Sequence, residues 1–513
     1  MFAFIGRRLG TLVVILFGSS FILYNLTAIS GDPTEQYKFQ TDERSRAALR
    51  ALIKQLDLNT PPPLRYFKWL KGVLSTFVGN PDFGMTRDNE AVIHRLSAAI
   101  PTTLRLITVA TLSAIILGIT LGIITALRQY SRFDYVVTFF SFLMFSLPIF
   151  WVAVLLKQFL AIRFNDFLAS AVIPPGWMLV FATFSAIFWV GILGGTRKQV
   201  IRNAGIVFAL TLGALAILSA TKWFRYPGLG IFGVGIISVG IAFAMTMLSI
   251  GLENKPAIRA SLTMVGITVL LYYPLQWVFD KYSSPLVLGA LFAISLATGA
   301  LVGALFAKID RGPVMRASVL TALGASLIVF IDRLMQTWSP YFEMDGVNGR
   351  PIPTVGQIDP LLSDTNFWVG TLDRGVHLVL PTIALTLISF AGYIRFSRGT
   401  LLEVLNQDYI RTARAKGLTE RTVIMRHAFR NTMIPLTTII VVDLAGIIGG
   451  AIITERVFGW SGMGTLFNKA INSFDLNLLM GVFFITASLS VIANLLADLL
   501  YSALDPRVRI GGK

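Results

Sequence analysis

The chain has 513 residues, of which 55% are hydrophobic and only 14% charged. A soluble domain carries about 25% charged residues, and one this apolar would expose large greasy patches and aggregate. The implied solvent is lipid. A net charge of +17 would suggest nucleic acid in a soluble protein. Here no basic face carries regularly interleaved aromatics, and the basic residues stand beside apolar runs, where they set orientation and meet anionic headgroups. The partner read from the charge is therefore membrane lipid and not nucleic acid. With no cysteine in the sequence, disulfides, thiolate metal sites and cysteine nucleophiles are ruled out.

A spanning helix takes about 20 mostly apolar residues. In chain order the apolar runs predict twelve spans: 11–29, 104–127, 135–157, 176–195, 205–220, 229–250, 260–279, 285–307, 317–335, 375–394, 433–454 and 477–500, with 205–220 the weakest. The first follows Arg7 and Arg8 and reads as an uncleaved span, not a signal peptide. Between it and the second, Pro61-Pro62-Pro63 and Gly79-Asn80-Pro81 break the chain into short helices and turns. The fold class is all-α, a polytopic transmembrane helical bundle.

Lys and Arg in short loops mark the cytoplasmic side. Arg7 and Arg8 put the N-terminus inside, and the loops 128–134 (Arg128, Arg132), 196–204 (Arg197, Lys198, Arg202) and 308–316 (Lys308, Arg311, Arg316) follow it. The segment 336–374, with Glu343, Asp345, Asp359, Asp364 and Asp373, falls outside. The C-terminus, with Arg507, Arg509 and Lys513, returns inside. Gly118/Gly122 and Gly299/Gly303 have the spacing of close helix packing, though glycine is also simply common in membrane helices.

Residues 395–435 carry the most information. They form a polar, basic, helix-forming stretch between two apolar spans, with Asp408-Tyr409-Ile410-Arg411-Thr412-Ala413-Arg414-Ala415-Lys416-Gly417 at the centre. Ala413 and Gly417, four apart, are expected to share a face that another protein's surface can approach closely. Gly417 is expected to end this helix and Thr419 to cap the next. The geometry is that of a lever seated in a partner's groove.

This segment resembles the coupling-helix loop of bacterial ABC-importer permeases. More narrowly, it is similar to the peptide/nickel branch, through Asp408 to Gly417 and then His427-Ala428-Phe429-Arg430-Asn431. Arg411 and Thr412 depart from the general importer pattern and agree with that branch. Gly31-Asp32-Pro33, the stretch Glu455 to Gly464 and the C-terminal Leu504-Asp505-Pro506-Arg507-Val508-Arg509 resemble further parts of the family. The resemblance covers roughly 1–165 and 370–513. It implies a six-helix type I importer permease core formed by 1–165 and 371–513, with about six inserted helices in 166–370 that have no counterpart. It also implies alternating access with a second permease subunit, two ATP-binding-cassette ATPase subunits docked on the coupling helices, and an extracytoplasmic solute-binding protein. The ATPase-coupling residues would be Asp408, Tyr409, Arg411, Ala413, Arg414, Ala415, Lys416, Gly417, His427, Arg430 and Asn431.

No phosphate-binding Gly-rich loop ending in Gly-Lys-Ser/Thr lies inside the chain, so ATP is expected to be hydrolysed by partners and no cofactor to be bound here. His94, His377 and His427 lack metal-ligand spacing, and no catalytic cluster is found. Two charges interrupt apolar runs, Lys157 at the end of one span and Asp443 within another. Asp443 either lines the pathway and meets a cationic group, or hydrogen-bonds within the bundle. The substrate expected is a peptide or similar small solute crossing the bacterial cytoplasmic membrane. The rival from another class, a self-sufficient secondary transporter, predicts two related halves, and no internal repeat is visible.

Overall fold

Inside a bilayer the backbone has no water to bond, so apolar runs close their hydrogen bonds internally as helices. The computed structural model describes residues 2–37, 42–307, 310–362 and 366–504, and the elements it describes are all helices. Among the described residues, eight helices are long and apolar enough to cross a membrane, or ten if each of two bent pairs counts as one span. Each of the twelve predicted runs falls on helix. The basic residues Lys308, Arg507, Arg509 and Lys513, the acidic Asp364 and the C-terminal motif from Asp505 lie outside the described residues.

Three predictions need correction. The run 135–157 is not one straight span. Arg132–Ser146 and Ile149–Ser170 meet at 105°, because Pro148 removes a backbone donor and restricts Leu147 to extended backbone. The run 260–279 is bent by 50° between Lys255–Leu270 and Tyr272–Lys281. The weak span 205–220 belongs to a 24-residue helix, Arg197–Ala220, that opens on a capping box formed by Thr196 and Gln199. Arg197, Lys198 and Arg202 therefore stand in the first turns of a helix and not in a loop. Arg311 and Arg316 likewise begin the Arg311–Phe342 helix, and Arg395 and Arg398 lie near the end of Phe367–Leu405. Helices outlast the hydrocarbon because long basic side chains carry their charge to the headgroups while their stems stay apolar.

The chain divides into two compact units, one of Met1–Gln158, Thr354–Gln357 and Leu378–Lys513, the other of Phe159–Pro353 and Ile358–His377. In the first, a core of Tyr24, Tyr66, Trp69, Leu96, Met480 and neighbours joins the Phe2–Ser30, Pro62–Leu74, Val92–Leu127 and Leu476–Leu504 helices. Gly118 and Gly122 let Val92–Leu127 cross Phe367–Leu405 closely: a Cβ on Gly118 would stand 2.5 Å from Tyr393 Cβ, and one on Gly122 would overlap Ser397 Oγ. In the second unit, Gly299 and Gly303 do the same, with a Cβ falling 2.9 Å from Ala322 and 2.6 Å from Met315 Cα. Both pairs are packing devices.

Candidate functional site

The basic stretch folds as an elbow. Asp408–Ala415 is a helix with Asp408 in its first turn and Arg414 in its last, both favoured by the helix dipole. It stops at Gly417, whose φ of +75° is left-handed backbone that glycine adopts without strain. The Gly417 N–H donates to Arg414 O at 2.9 Å and the Leu418 N–H to Ala413 O at 3.4 Å, the two bonds of a Schellman ending. Two residues on, the Thr419 hydroxyl accepts from the Thr422 N–H and opens the next turn. A π-helical turn, Val423–Ala428, then leads into Phe429–Gly450.

The elbow rests on an apolar floor of its own chain. Ile410, Ala413, Val423 and Ala428 are buried with Leu401 and Ala126. This corrects one expectation. Ala413 and Gly417 do not form a small-residue face for a partner, because the helix ends before Gly417 and Ala413, 6% exposed, turns inward with Ile410. The outward surface holds Arg411, Arg414, Ala415, Lys416, Gly417, Arg426 and Arg430, with Tyr409, Leu418 and Met425 as its apolar contacts.

Polar ties fix the bend. Arg414 grips Glu420 with two bonds, Nε to Oε2 at 3.2 Å and a terminal nitrogen to Oε1 at 2.7 Å, and this holds the Glu420 carboxyl below its ordinary range. Asn431 Nδ2 donates to the Tyr409 hydroxyl at 2.8 Å, strapping the short helix to the one that continues into the membrane. Asp408 pairs with Arg411 at 3.5 Å, both largely exposed to solvent. His427 is half-buried in the π-helical turn. Behind the elbow, Arg398 makes a fork with Asp134, Nε at 3.0 Å and a terminal nitrogen at 2.9 Å, and Asp134 also accepts the Tyr130 N–H at 3.0 Å. The Asp134 side chain is 3% exposed, so the loop ahead of Arg132–Ser146 is tied to Phe367–Leu405 through a buried carboxylate.

Eleven of the sequence-named residues thus gather in the elbow, and Asp443 does not. It lies twelve residues beyond Asn431, about 18 Å along the same helix, and it is exposed. Lys157 donates to Val457 O at 2.5 Å and stands 5.2 Å over the Phe458 ring. It therefore caps the end of the Ile452–Phe458 helix.

Two carboxylates given no role in the sequence analysis are fully buried. Glu455, fully buried, accepts from Thr103 Oγ1 at 2.6 Å and the Thr465 N–H at 2.9 Å, while Thr103 Oγ1 accepts the Met463 N–H at 2.8 Å. Burial pushes its carboxyl up. A Cβ on Gly462 would collide with the carboxylate. Asp332, also fully buried, accepts from the N–H groups of Leu229 (2.8 Å) and Gly230 (3.1 Å), from Tyr272 (2.6 Å) and from Gln336 (2.9 Å). It sits at the N-terminus of Gly230–Ser249 and at the bend before Tyr272. Asp332 also falls inside a predicted span, 317–335, so the rule that singles out Asp443 applies to it equally. His377 Nδ1 is 2.8 Å from Asp373 O. Among the described residues no group of three or more His, Asp or Glu could hold a metal ion.

A family model described as "Binding-protein-dependent transport system inner membrane component" matches residues 267–510, which includes the whole elbow and starts within 166–370. Among characterised proteins, the chain is 36% identical over 190 residues to "Oligopeptide transport system permease protein OppB" of Mycobacterium tuberculosis, covering 37% of this chain and 56% of that protein. It is 36% identical over 243 residues to "Dipeptide transport system permease protein DppB" of Escherichia coli, covering 45% of this chain and 71% of that protein. To "Oligopeptide transport system permease protein AppB" of Bacillus subtilis it is 41% identical over 162 residues, covering 32% and 50%. The chain thus spans just over half the length of its Mycobacterium relatives.

Proposed function

The chain belongs to the family of binding-protein-dependent transport system inner membrane components, and from that premise we propose that it is the permease subunit of an ATP-binding-cassette importer. It translocates peptides or similar small solutes across the bacterial cytoplasmic membrane, with both termini on the cytoplasmic side. A second permease subunit completes the pathway, two separate ATPase subunits drive it and bind the ATP, and an extracytoplasmic protein delivers the solute. This chain performs no catalysis itself. Residues 166–370 are read as an inserted transmembrane module.

One observation carries the reading. The elbow is stiff on the inside and open on the outside. Its apolar floor, its Schellman ending and the Tyr409–Asn431 strap fix its shape without using the outward residues Arg411, Lys416, Leu418, Met425, Arg426 and Arg430. A rigid element tied to the Phe429–Gly450 helix transmits a push from a partner as rigid-body motion. Asp443, exposed along that same helix, would on this reading meet a cationic group in the pathway. If Asp443→Asn leaves uptake of cationic and neutral substrates equally intact, that role falls.

The test of the main reading is a pull-down from solubilised membranes. Wild type should bring down an ATP-hydrolysing subunit. Gly417→Arg, which places a bulky side chain on left-handed backbone at the outer bend, should lose it. A chain recovered alone and still competent for ion-driven uptake would overturn the proposal.

A further inference from the structure

Arg65 is a charge without a counterion among the described residues. It belongs to the Pro62–Leu74 helix, is 9% exposed, and its buried Nε has no hydrogen-bond partner. No carboxylate pairs with it among the described residues. Asp57, the acidic group whose field it feels, is committed to Lys68 at 2.6 Å. Besides Asp57, the described neighbour that meets its charge is Tyr24, whose ring lies 6.0 Å from the guanidinium. An unpaired buried cation is penalised by several kcal/mol unless something supplies the missing anion.

Arg65 lines a cavity of about 480 Å³ whose other walls are nearly all apolar, among them Leu23, Ala28, Phe467 and Phe483. That volume lies within the roughly 300–1,000 Å³ of small-molecule sites. The place of the cavity narrows the ligand further. It sits at the C-terminal end of the first span, Leu9–Ser30. The Pro62–Leu74 helix turns Tyr66, Trp69 and Val73 into the protein and leaves Leu64 and Phe67 59% and 58% exposed. Phe67 meets Phe21 of the span at 6.0 Å. A short helix with one apolar side buried, apolar residues outside and aromatic rings beside a span lies in the membrane interface.

We propose that this cavity binds an anionic phospholipid, with the phosphate on Arg65 and an acyl chain among the apolar walls. A buried guanidinium prefers phosphate because its fork of donors matches the phosphate oxygens. The site is separate from the elbow and stands or falls independently of ATPase coupling.

The test is native mass spectrometry of the full chain, purified in detergent, delipidated and titrated with phosphatidylglycerol or with phosphatidylcholine of the same chains. Wild type should hold one phosphatidylglycerol about tenfold more tightly than phosphatidylcholine, and Arg65→Gln should remove that preference. Ala28→Trp, which keeps Arg65 and fills the cavity, should lose both lipids; it provides an independent reading if Arg65→Gln fails to fold. Inorganic phosphate alone should raise the unfolding temperature of neither wild type nor variant. Equal retention of the two lipids by wild type, unchanged retention in Ala28→Trp, or a shift with phosphate alone equal to that with phosphatidylglycerol would overturn the proposal.

Discussion

The elbow in one unit and the buried carboxylates Asp332 and Asp373 in the other use charge in opposite ways. In the elbow the charges pair at the surface: Asp408 with Arg411 at 97% and 71% side-chain exposure, Arg414 with Glu420 at 43% and 57%. In the other unit, Asp332 is sealed from solvent with four donors around it, and Tyr341 and the Asp359 N–H close on Asp373 at 3.0 Å each. Exposed pairs contribute little to stability, about 0–1 kcal/mol, whereas a buried carboxylate stripped from its donors leaves each of them unsatisfied. The first arrangement leaves a surface free for something else. The second is complete in itself. On the proposal above, the charges of the elbow serve transport, while those around Asp332 and Asp373 serve folding.

Perturbing the second unit should give the largest effect. Asp332→Ala orphans two backbone N–H groups and two side-chain donors, and should lower stability by about 3 kcal/mol or more, read as a fall in the thermal midpoint in detergent. A midpoint unchanged from wild type would break the comparison. The reverse pattern is expected of Arg411→Glu combined with Lys416→Glu, where solute uptake falls about tenfold through like-charge or lost contacts while the midpoint stays put. Asn431→Ala sharpens the distinction. It removes the strap to Tyr409, with about 0.5–1.5 kcal/mol at stake, so uptake should fall modestly and proteolysis of the elbow should quicken, with the midpoint little changed.

The smallest effect concerns pH. Arg414 holds the Glu420 carboxyl below its ordinary value of 4.5. A depressed carboxylate contributes stability that is present above its unfolded value and is lost as pH falls through the folded one. Because both partners are substantially exposed, the contribution is about a few tenths of a kcal/mol. Protease resistance of the elbow should accordingly weaken only below about pH 4.5 in wild type, and Glu420→Gln should already show the acid-like rate at neutral pH.

Composition and apolar run length suffice for the class of the fold, because twenty apolar residues in a row can hardly be anything but a buried or spanning helix. The elbow is equally legible, since Gly417 and Thr419 are local signals that act through their own backbone. Two kinds of feature are hidden from such reading. One is direction: Ala413 is small whether it faces a partner or its own core, and only the early end of the helix at Ala415 decides. The other is pairing across sequence. Asp134 with Arg398 and Thr103 with Glu455 are separated by 264 and 352 residues, and neither member reveals the other. Pro148 marks a break in its run, but not the 105° angle that follows.

On our proposal, the outward face of the elbow seats against a separate ATP-hydrolysing subunit on the cytoplasmic side. Because the chain has no cysteine, Lys416→Cys introduces a single thiol at the tip. A short thiol cross-linker applied to inverted membrane vesicles should join that thiol to the ATPase, with a yield that changes when ATP is added. Labelling of the same thiol in intact cells by a reagent that cannot cross the membrane, or import that proceeds with no ATPase adduct under any condition, would contradict the account.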